Sequence, residues 1–298
     1  MESLLLIGGS NIDIKAKANK KIIFQDSNIG DISYSFGGVS RNIAEDLSYL
    51  EDTFTFLTSV GNDINGKKIQ ENLKSLNIST KYIESKEQTG TYLSIDNDNG
   101  EMQVAICQNK IMDKMKKEAL YPFASLLENH DLIFLDANLS ESCIDYILKS
   151  TNKKITVEGV STSKIIRFKN HLNKIYLLKC NLLEAQYLMN KKEATAIELC
   201  KGMLSCGLKN ACITNGFHDI VAMQDGNIFS IPVLKENDVI STTGCGDAFC
   251  AGILYSLRRD CDLKRACLFA KEISSITLKS LSPCTPLIKE ALRNYEVK

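Results

Sequence analysis

The pattern of hydrophobic and polar positions predicts an alternation of strands and helices along most of the chain. Short apolar runs are typical of buried strands, and the segments after them repeat apolar residues every three or four positions, as amphipathic helices do. Such alternation predicts a parallel sheet with helices on both faces. The predicted strands are 4–7, 53–59, 132–135, 155–157, 174–178 and 211–214. The predicted helices are 40–50, 66–76, 141–149, 182–189, 194–206, 246–258 and 263–278.

Four short strands early in the chain do not fit this alternation. They are 12–18, 32–36, 90–95 and 101–106. The last two flank an Asp/Asn/Gly run that is typical of a hairpin turn. We expect a small separate sheet, or lid, from segments 12–36 and 89–108 inserted into a single domain that spans residues 1–298. The predicted fold class is therefore α/β, a three-layer α/β/α sandwich with a mostly parallel central sheet plus a small β-sheet lid.

Composition and charge exclude several classes of partner. The 298 residues carry 36 basic and 36 acidic side chains, so nothing predicts binding to a nucleic-acid polymer or a membrane surface. None of the 11 cysteines has CxxC spacing, and with 3 histidines no zinc pattern forms. We expect reduced thiols in a cytoplasmic protein, because the chain also begins without a signal peptide and has no apolar run of about 20 residues.

The most informative stretch is a glycine-rich turn that opens an apolar helix. Gly244, Cys245 and Gly246 precede Asp247, and the helical pattern follows at once. Backbone N–H groups at a helix start are unpaired and carry partial positive charge, so they suit a phosphoryl group. Asp247 could accept the proton of an attacking hydroxyl, which indicates phosphoryl transfer. The alternative is a plain helix start with a capping acid.

Polar residues after the first strand and in the first helix favour a sugar site. Residues 8–13 read GGSNID, which lacks the GxGxxG pattern of a dinucleotide site. Asn11 and Asp13 follow the strand end where α/β sheets bind ligands, and a carboxylate suits a vicinal diol. After two glycines, Asn42 lies on the first helical turn, with Ser40 as the predicted N-cap. The alternatives are a turn aspartate and a bulge before a helix cap.

Two further polar groups follow strands in the second half of the chain. Asn181 and Glu184 lie three residues apart on one helical face and could hold a hydrated Mg²⁺ near phosphates. The alternative for this pair is a helix capping pair. Thr214 and Gly216 end a predicted strand and could approach nucleotide phosphates.

Together these motifs resemble the ribokinase-like carbohydrate kinase family over essentially the whole chain. GGSNID is similar to the family's N-terminal substrate motif, and FGGVSRNIAEDL at 36–47 is similar to its first signature. NLLE at 181–184 resembles its metal motif, and TTGCGDAFCAG at 242–252 resembles its second signature. The resemblance implies a ribokinase-like fold and a kinase that uses ATP and Mg²⁺.

The resemblance also implies a role for each candidate residue. Asp247 would be the catalytic base, and the anion hole would consist of Gly244, Cys245 and Gly246. Asn181 and Glu184 would order the metal, and the residues expected to contact ATP are Asn181, Thr214, Gly216, Gly244 and Gly246. The expected substrate residues are Asn11, Asp13, Gly38, Asn42, Thr91 and Asn138. Ser241 stands where several relatives have an aspartate that helps to bind a monovalent cation. Whether this protein uses a monovalent cation is therefore left open.

Several stretches narrow the expected substrate. Residues 10–15, 27–28 with Gly30, 38–45, 89–93, 135–139 and 277–280 resemble the subgroup of this family that acts on pseudouridine. The resemblance implies ATP-dependent phosphorylation of the 5′-hydroxyl of a ribonucleoside, with pseudouridine as the expected substrate, and a homodimer through the lid strands. The alternatives are another sugar or nucleoside kinase, such as ribokinase or an adenosine/inosine kinase, and a non-catalytic nucleoside sensor.

Overall fold

The computed structural model describes residues 1–233, 236 and 238–295, and within these residues the strands form two sheets. The strands are β1 (Leu4–Ile7), β2 (Asn11–Ala18), β3 (Gly30–Gly37), β4 (Thr55–Ser59), β5 (Ser79–Ile83), β6 (Gly90–Asp96), β7 (Met102–Gln108), β8 (Leu132–Asp136), β9 (Lys154–Glu158), β10 (Leu177–Asn181), β11 (Ala211–Asn215), β12 (His218–Gln224) and β13 (Asn227–Ile231). The helices are α1 (Val39–Tyr49), α2 (Ile64–Ser75), α3 (Lys110–Asp113), α4 (Ala124–Asn129), α5 (Glu141–Ser150), α6 (Thr162–Ile165), α7 (Leu182–Met189), α8 (Ala196–Ser205), α9 (Cys245–Leu257), α10 (Leu263–Thr277) and α11 (Ala291–Tyr295). Short 3₁₀ segments lie at Lys117–Phe123, Ile166–Lys174 and Pro286–Glu290.

The larger sheet has the strand order β13-β12-β11-β10-β9-β8-β1-β4-β5. β12 pairs antiparallel with β11 and β13, and the other neighbouring strands are parallel. In sequence order, β4 and β5 follow on one side of β1, whereas β8, which comes later in the chain, lies on the other side of β1. Because open α/β sheets bind ligands where the strand order reverses, the crevice at the carboxyl ends of β1 and β8 is the expected site.

Two hydrophobic cores cover the two faces of this sheet. Leu4 and Leu6 of β1 pack in one core with α1, α2, α9 and α10. Leu5 and Ile7 pack in the other core with α5, α7 and α8. The predicted three-layer sandwich with a mostly parallel sheet is therefore confirmed. Among the described residues, no helix combines the length and the apolar character that crossing a membrane requires.

The smaller sheet, of order β3-β2-β6-β7, has a polar face and an apolar face. Asp13 pairs with Ser35 and with Tyr92, so these three side chains share a face. Tyr34 and Ile106 lie on the opposite, apolar face, because the pairing of β3 with β2, of β2 with β6 and of β6 with β7 aligns their positions. The separate small sheet is confirmed, whereas the organisation as a single domain with a lid stays a prediction.

Three details differ from the sequence prediction. The N-cap of α1 is Gly38, so the predicted cap Ser40 lies inside the first turn, where its hydroxyl donates to Asp136. The strand predicted at 174–178 lies three residues later, because a 3₁₀ segment occupies the preceding residues. β5, β12 and β13 are strands that the sequence analysis does not predict.

Helices α9 and α10 approach closely because α9 has a glycine at the contact. A Cβ on Gly252 would lie 2.6 Å from the Cα of Ala270 and 3.1 Å from its Cβ. The α9 residues from Ala248 to Leu257 are all buried, so this contact lies in the core and has little room to relax. It holds the helix that begins at the candidate site against its neighbour.

We expect the substitution Gly252→Ala to lower the free energy of unfolding by roughly 1–3 kcal/mol, because overpacking must separate two backbones. Urea denaturation followed by circular dichroism measures this change. The control is Gly202→Ala in α8, where the new Cβ would meet the flexible Cε of Met189 at 3.1 Å. There we expect unchanged or slightly higher stability, since alanine favours helix. Equal losses at both positions would contradict the packing argument.

Candidate active site

Helix α9 begins with a turn that has no side-chain cap. Its N-cap Gly244 has a φ of 85°, and a Cβ there would lie 2.1 Å from the carbonyl oxygen of Pro283, so glycine is required. The uncapped N–H groups of the first turn carry partial positive charge and suit an anion. Asp247 lies in the same turn. Burial raises the pKa of the Cys245 thiol to about 11, so this side chain is neutral at pH 7.

A pocket of about 220 Å³ lies beside this turn and is lined by several of the residues that the sequence predicts at the nucleotide site. Thr214, Gly216 and Gly246, which are expected to contact ATP, line it together with Cys245 of the expected anion hole. Asn181 and Gly244 are not among its lining residues. Its apolar lining consists of Phe217, Ile220, Val233, Phe249 and Leu278. A largely apolar pocket whose lining includes an uncapped helix start fits a flat heterocyclic base joined to phosphates.

The Asp247 carboxylate is held by a side chain from the first helix. Asn42, which is 205 positions earlier, donates from Nδ2 to Oδ2 of Asp247 over 2.7 Å. Burial raises the pKa of Asp247 to about 6, against the opposing effects of the Asn42 hydrogen bond and of Lys179. The group is therefore ionised at pH 7 and able to accept a proton. Asn42 thus contacts the candidate base, whereas the sequence analysis expects it to contact a sugar hydroxyl.

The buried carboxylate of Asp136, at the end of β8, joins three segments of the site. Its Oδ2 accepts hydrogen bonds from the N–H of Gly9 at 3.0 Å and from the N–H and hydroxyl of Ser40 at 3.2 and 2.6 Å. Its Oδ1 accepts a hydrogen bond from the N–H of Asn138 at 2.9 Å. Sequence reasoning assigns no role to Asp136. The available signal was a carboxylate directly after a buried strand at the ligand-binding edge of the sheet.

Asp13 lies on the polar face of the smaller sheet. Asn11 donates from Nδ2 to Oδ1 of Asp13, and a Cβ on Gly37 would lie 2.4 Å from the same carboxylate. Burial raises the pKa of Asp13, although the Asn11 hydrogen bond opposes this effect. Tyr92 is the β6 residue that pairs with Asp13 on this face. Thr91, the predicted substrate residue, lies on the opposite face, because neighbouring residues of a strand point in opposite directions.

Asn138 contacts two residues that the sequence analysis does not identify. Its Oδ1 accepts hydrogen bonds from Nζ of Lys164 at 2.6 Å and from Nδ2 of Asn109 at 3.2 Å. Asn109 and Asn11 both border Gly90, at 3.2 and 3.1 Å from the position of a Cβ there. The structure therefore brings Asn11 and Asn138 into one polar cluster. Lys164 and Asn109 lie in polar segments without a motif, so no sequence signal marks them.

A buried ion pair lies next to the first turn of α9. Nζ of Lys179 is 2.9 Å from Oε1 of Glu158, and the two side chains are 4% and 6% exposed. A Cβ on Gly246 would lie 3.2 Å from the same Nζ. Burial alone would lower the pKa of Lys179, but the Glu158 carboxylate outweighs it and raises that pKa, so the ammonium group is charged. The ammonium charge of Lys179 lies close enough to Asp247 to oppose the rise in its pKa.

Asn181 and Glu184 form the capping box of α7, which is the alternative interpretation of this pair. Oδ1 of Asn181 accepts a hydrogen bond from the N–H of Glu184 at 2.8 Å, and Oε2 of Glu184 accepts one from the N–H of Asn181 at 2.9 Å. In residues 1–233, 236 and 238–295, no group of three or more His, Cys, Asp or Glu side chains could hold a metal ion. One carboxylate and one amide oxygen fit a Mg²⁺ ion that keeps most of its water. Their metal role stays a prediction.

Comparisons with known proteins find relatives over nearly the whole chain. The model of the pfkB family of carbohydrate kinases matches residues 1–290. The chain is 30% identical over 286 residues to pseudouridine kinase of Escherichia coli (strain K12), covering 92% of this chain and 90% of that protein. It is 24% identical over 289 residues to guanosine-inosine kinase of Exiguobacterium acetylicum, covering 94% and 95%. The solved structure of ribokinase from Thermotoga maritima has the same fold, with a TM-score of 0.88 at 20% identity over 100% of both chains.

Proposed function

Since the chain belongs to the pfkB family of carbohydrate kinases and is therefore a phosphotransferase, we propose that it transfers the γ-phosphoryl group of ATP to the 5′-hydroxyl of pseudouridine. The position of Asp247 carries this proposal. It lies in the uncapped turn of α9, whose Cys245 and Gly246 line the apolar pocket, and it is hydrogen-bonded to Asn42 of α1. One carboxylate thus links the turn beside the apolar pocket to the first turn of α1.

In the proposed reaction, Asp13 and Asn11 bind hydroxyls of the ribose, and ATP lies in the apolar pocket. Asp247 accepts the proton of the 5′-hydroxyl as that oxygen attacks the γ-phosphorus and the bond to the leaving ADP oxygen breaks. The N–H groups of the first turn of α9, together with Lys179, stabilise charge on the transferred group. Closure of the smaller sheet would exclude water and so protect ATP from hydrolysis.

Glu184 and Asn181 would hold Mg²⁺ through its water molecules in this proposal. When bound, the ion neutralises charge on the phosphates. Ser241 offers a hydroxyl, which accepts a hydrogen bond from the N–H of Thr243 at 3.2 Å, at the position where several relatives have an aspartate that helps to bind a monovalent cation. The proposal therefore leaves open whether a monovalent cation takes part.

Two observations support pseudouridine as the substrate. The relative with 30% identity is a pseudouridine kinase. The cluster of Lys164, Asn109 and Asn138 supplies ammonium and amide donors, which suit the carbonyl groups of a uracil ring. The relative with 24% identity, a guanosine-inosine kinase, favours a purine nucleoside as the second candidate substrate.

We also propose a cytoplasmic location. All 11 cysteines are free thiols, and most of them are buried. Disulfides are rare where glutathione and thioredoxin keep thiols reduced, so this thiol content supports a reducing compartment.

A substrate panel tests the proposed function. ADP release, coupled to a spectrophotometric assay, is measured with ribose, fructose, adenosine, inosine, guanosine, uridine and pseudouridine. We expect the highest kcat/KM with pseudouridine, and phosphorus NMR should show the new phosphate as an ester of the 5′ oxygen. A higher kcat/KM with inosine or guanosine would support the purine alternative. Thermal stabilisation by a nucleoside without ADP release would indicate a sensor.

We expect Asp247→Asn to lower kcat by roughly 10²–10⁴, because the amide has a similar shape but cannot accept the proton. The KM for ATP should change little, since Asp247 does not line the nucleotide pocket. Asp145→Asn in α5, whose side chain is 41% exposed and pairs with Lys149, is the control and should leave kcat unchanged. Turnover at the wild-type level in the Asp247 variant would exclude it as the base.

The pH dependence of kcat/KM in the wild-type enzyme should reflect the ionisation of Asp247. Protonation removes the acceptor, and the pKa of Asp247 is raised to about 6, so activity is lost as pH falls through that value. We expect log kcat/KM to be flat above about pH 7 and to fall with unit slope in the acidic range. The residual activity of Asp247→Asn should lack this acidic limb. A flat profile down to pH 5 would contradict the assignment.

We further propose that two copies associate through the smaller sheet. Its apolar face exposes Ile32, Tyr34 and Ile106 at 63%, 67% and 63%, with Ile95 and Val104 beside them. Monomeric proteins rarely expose a contiguous apolar surface of this kind, and such surfaces mark interfaces. The proposed contact thus uses the apolar face of the lid strands, through which the resemblance implies a homodimer.

Light scattering after size exclusion should show a dimer for the wild-type protein at micromolar concentration. We expect Ile106→Glu to produce monomers, because the carboxylate would be buried without a partner in the interface. Lys17→Glu, on the polar face of the same sheet, is the control and should remain dimeric. A monomeric wild-type protein would overturn the proposed association.

A further inference from the structure

The most deeply buried cation of the described chain near this site is the guanidinium of Arg41, in the first turn of α1. Arg41 is 1% exposed. Its Nη1 donates to Oε2 of Glu45 and, at 3.5 Å, to Oδ1 of Asn72 in α2, and its Nη2 donates to Oδ1 of Asn42. Glu45 is itself held by the hydroxyl of Tyr49 at 2.7 Å. Because a buried charge is stable only when its partners are in place, this network fixes the guanidinium.

The contact with Arg41 decides which way the Asn42 amide faces. An amide has one oxygen that accepts hydrogen bonds and one nitrogen that donates them. With its oxygen on the guanidinium, Asn42 can present only Nδ2 to Asp247, and the observed distance to Oδ2 is 2.7 Å. The reversed amide would place its oxygen against the carboxylate and its N–H groups against the guanidinium, and both contacts would be repulsive.

We propose that Arg41 is a positioning residue for phosphoryl transfer, which acts by fixing the Asn42 amide as the donor that holds the Asp247 carboxylate. The proposal rests on the proposed function only through the identity of Asp247 as the base. Within the part of the chain that the structure describes, Asn42 engages Oδ2, which leaves Oδ1 as the oxygen for the acceptor hydroxyl. Arg41 itself touches neither substrate in this mechanism.

The charged surroundings of Asp247 set the direction of the expected pH effect. The Asn42 hydrogen bond, Lys179 and Arg41 each lower the pKa of Asp247, whereas burial and the Asp136 carboxylate raise it. Loss of Arg41 removes one lowering influence directly and weakens a second through Asn42, so that pKa should rise. Asp247 in turn raises the pKa of five other titratable groups, which are Glu158, Asp46, Cys245, Cys250 and Cys284.

A double-mutant cycle tests the proposal, with Arg41→Met, Asn42→Ala and the combined variant. We expect each single substitution to lower kcat roughly 10- to 100-fold through misplacement of the base. Each should also move the acidic limb of kcat/KM to higher pH by about one unit. Arg41→Met should have little further effect once Asn42 is alanine, because the route through the amide is already lost. The KM for ATP should stay within about two-fold.

The control for loss of a buried arginine is Arg258→Met. Arg258 is 3% exposed and lies 2.9 Å from Asp52, on contacts separate from the Asp247 network. Its loss should lower the melting temperature and leave the acidic limb unchanged. If Arg41→Met does not fold, Arg41→Lys takes its place in the cycle, since lysine keeps the charge but cannot reach Glu45 and Asn42 together. The same non-additive loss of kcat is then expected.

Two results would overturn the proposal. One is additivity of the two substitutions in kcat, which would show that Arg41 does not act through Asn42. The other is a variant of Arg41 with the wild-type kcat and acidic limb. Both are distinct from failure of the proposed function, because in that case Asp247→Asn would itself retain activity.

Discussion

The buried carboxylate of Asp136 is the constraint on which the whole site depends. It lies where the strand order reverses, and it accepts hydrogen bonds from the segment after β1, from the first turn of α1 and from the segment after β8. Hydrogen bonds to an ionised acceptor are strong, and a buried carboxylate that lost them would be costly, so the three segments hold one another in a single arrangement. Gly8 fits this arrangement because a Cβ there would lie 2.0 Å from Oγ of Ser40 and 2.4 Å from Oδ2 of Asp136.

Elements with strong local signals could be predicted from the sequence. β1 and α7 have the predicted bounds, and the Asp/Asn/Gly run between β6 and β7 marked their hairpin. The hairpin of β12 and β13 had a comparable signal in Asp225 and Gly226, which both have positive φ, but it was not recognised. The prediction of Ser40 as the N-cap was wrong because a good capping residue is also a good hydrogen-bond donor. Its hydroxyl is used in the tertiary contact with Asp136.

The candidate site was predictable where its chemistry is local, and much less so where it joins distant segments. The uncapped turn at Asp247 follows from adjacent glycines, whereas its contact with Asn42 joins residues 205 positions apart. Lys179 and Glu158 lie 21 positions apart on neighbouring strands, and no periodic pattern reports such a pair. Thr91 and Tyr92 show a different limit, since a shift of one residue reverses the face of the sheet and only the pairing register decides it.

The ion pair of Lys179 and Glu158 also limits how this protein can evolve. Either side chain alone would leave a buried polar group without its partner, which costs more than the intact pair or an apolar pair of similar volume. A lineage that replaces the lysine must therefore replace the glutamate at nearly the same time, and the reverse order is equally unfavourable. Across descendants of this chain, the two positions should be inherited as a unit, with few surviving intermediates that carry only one of the charges.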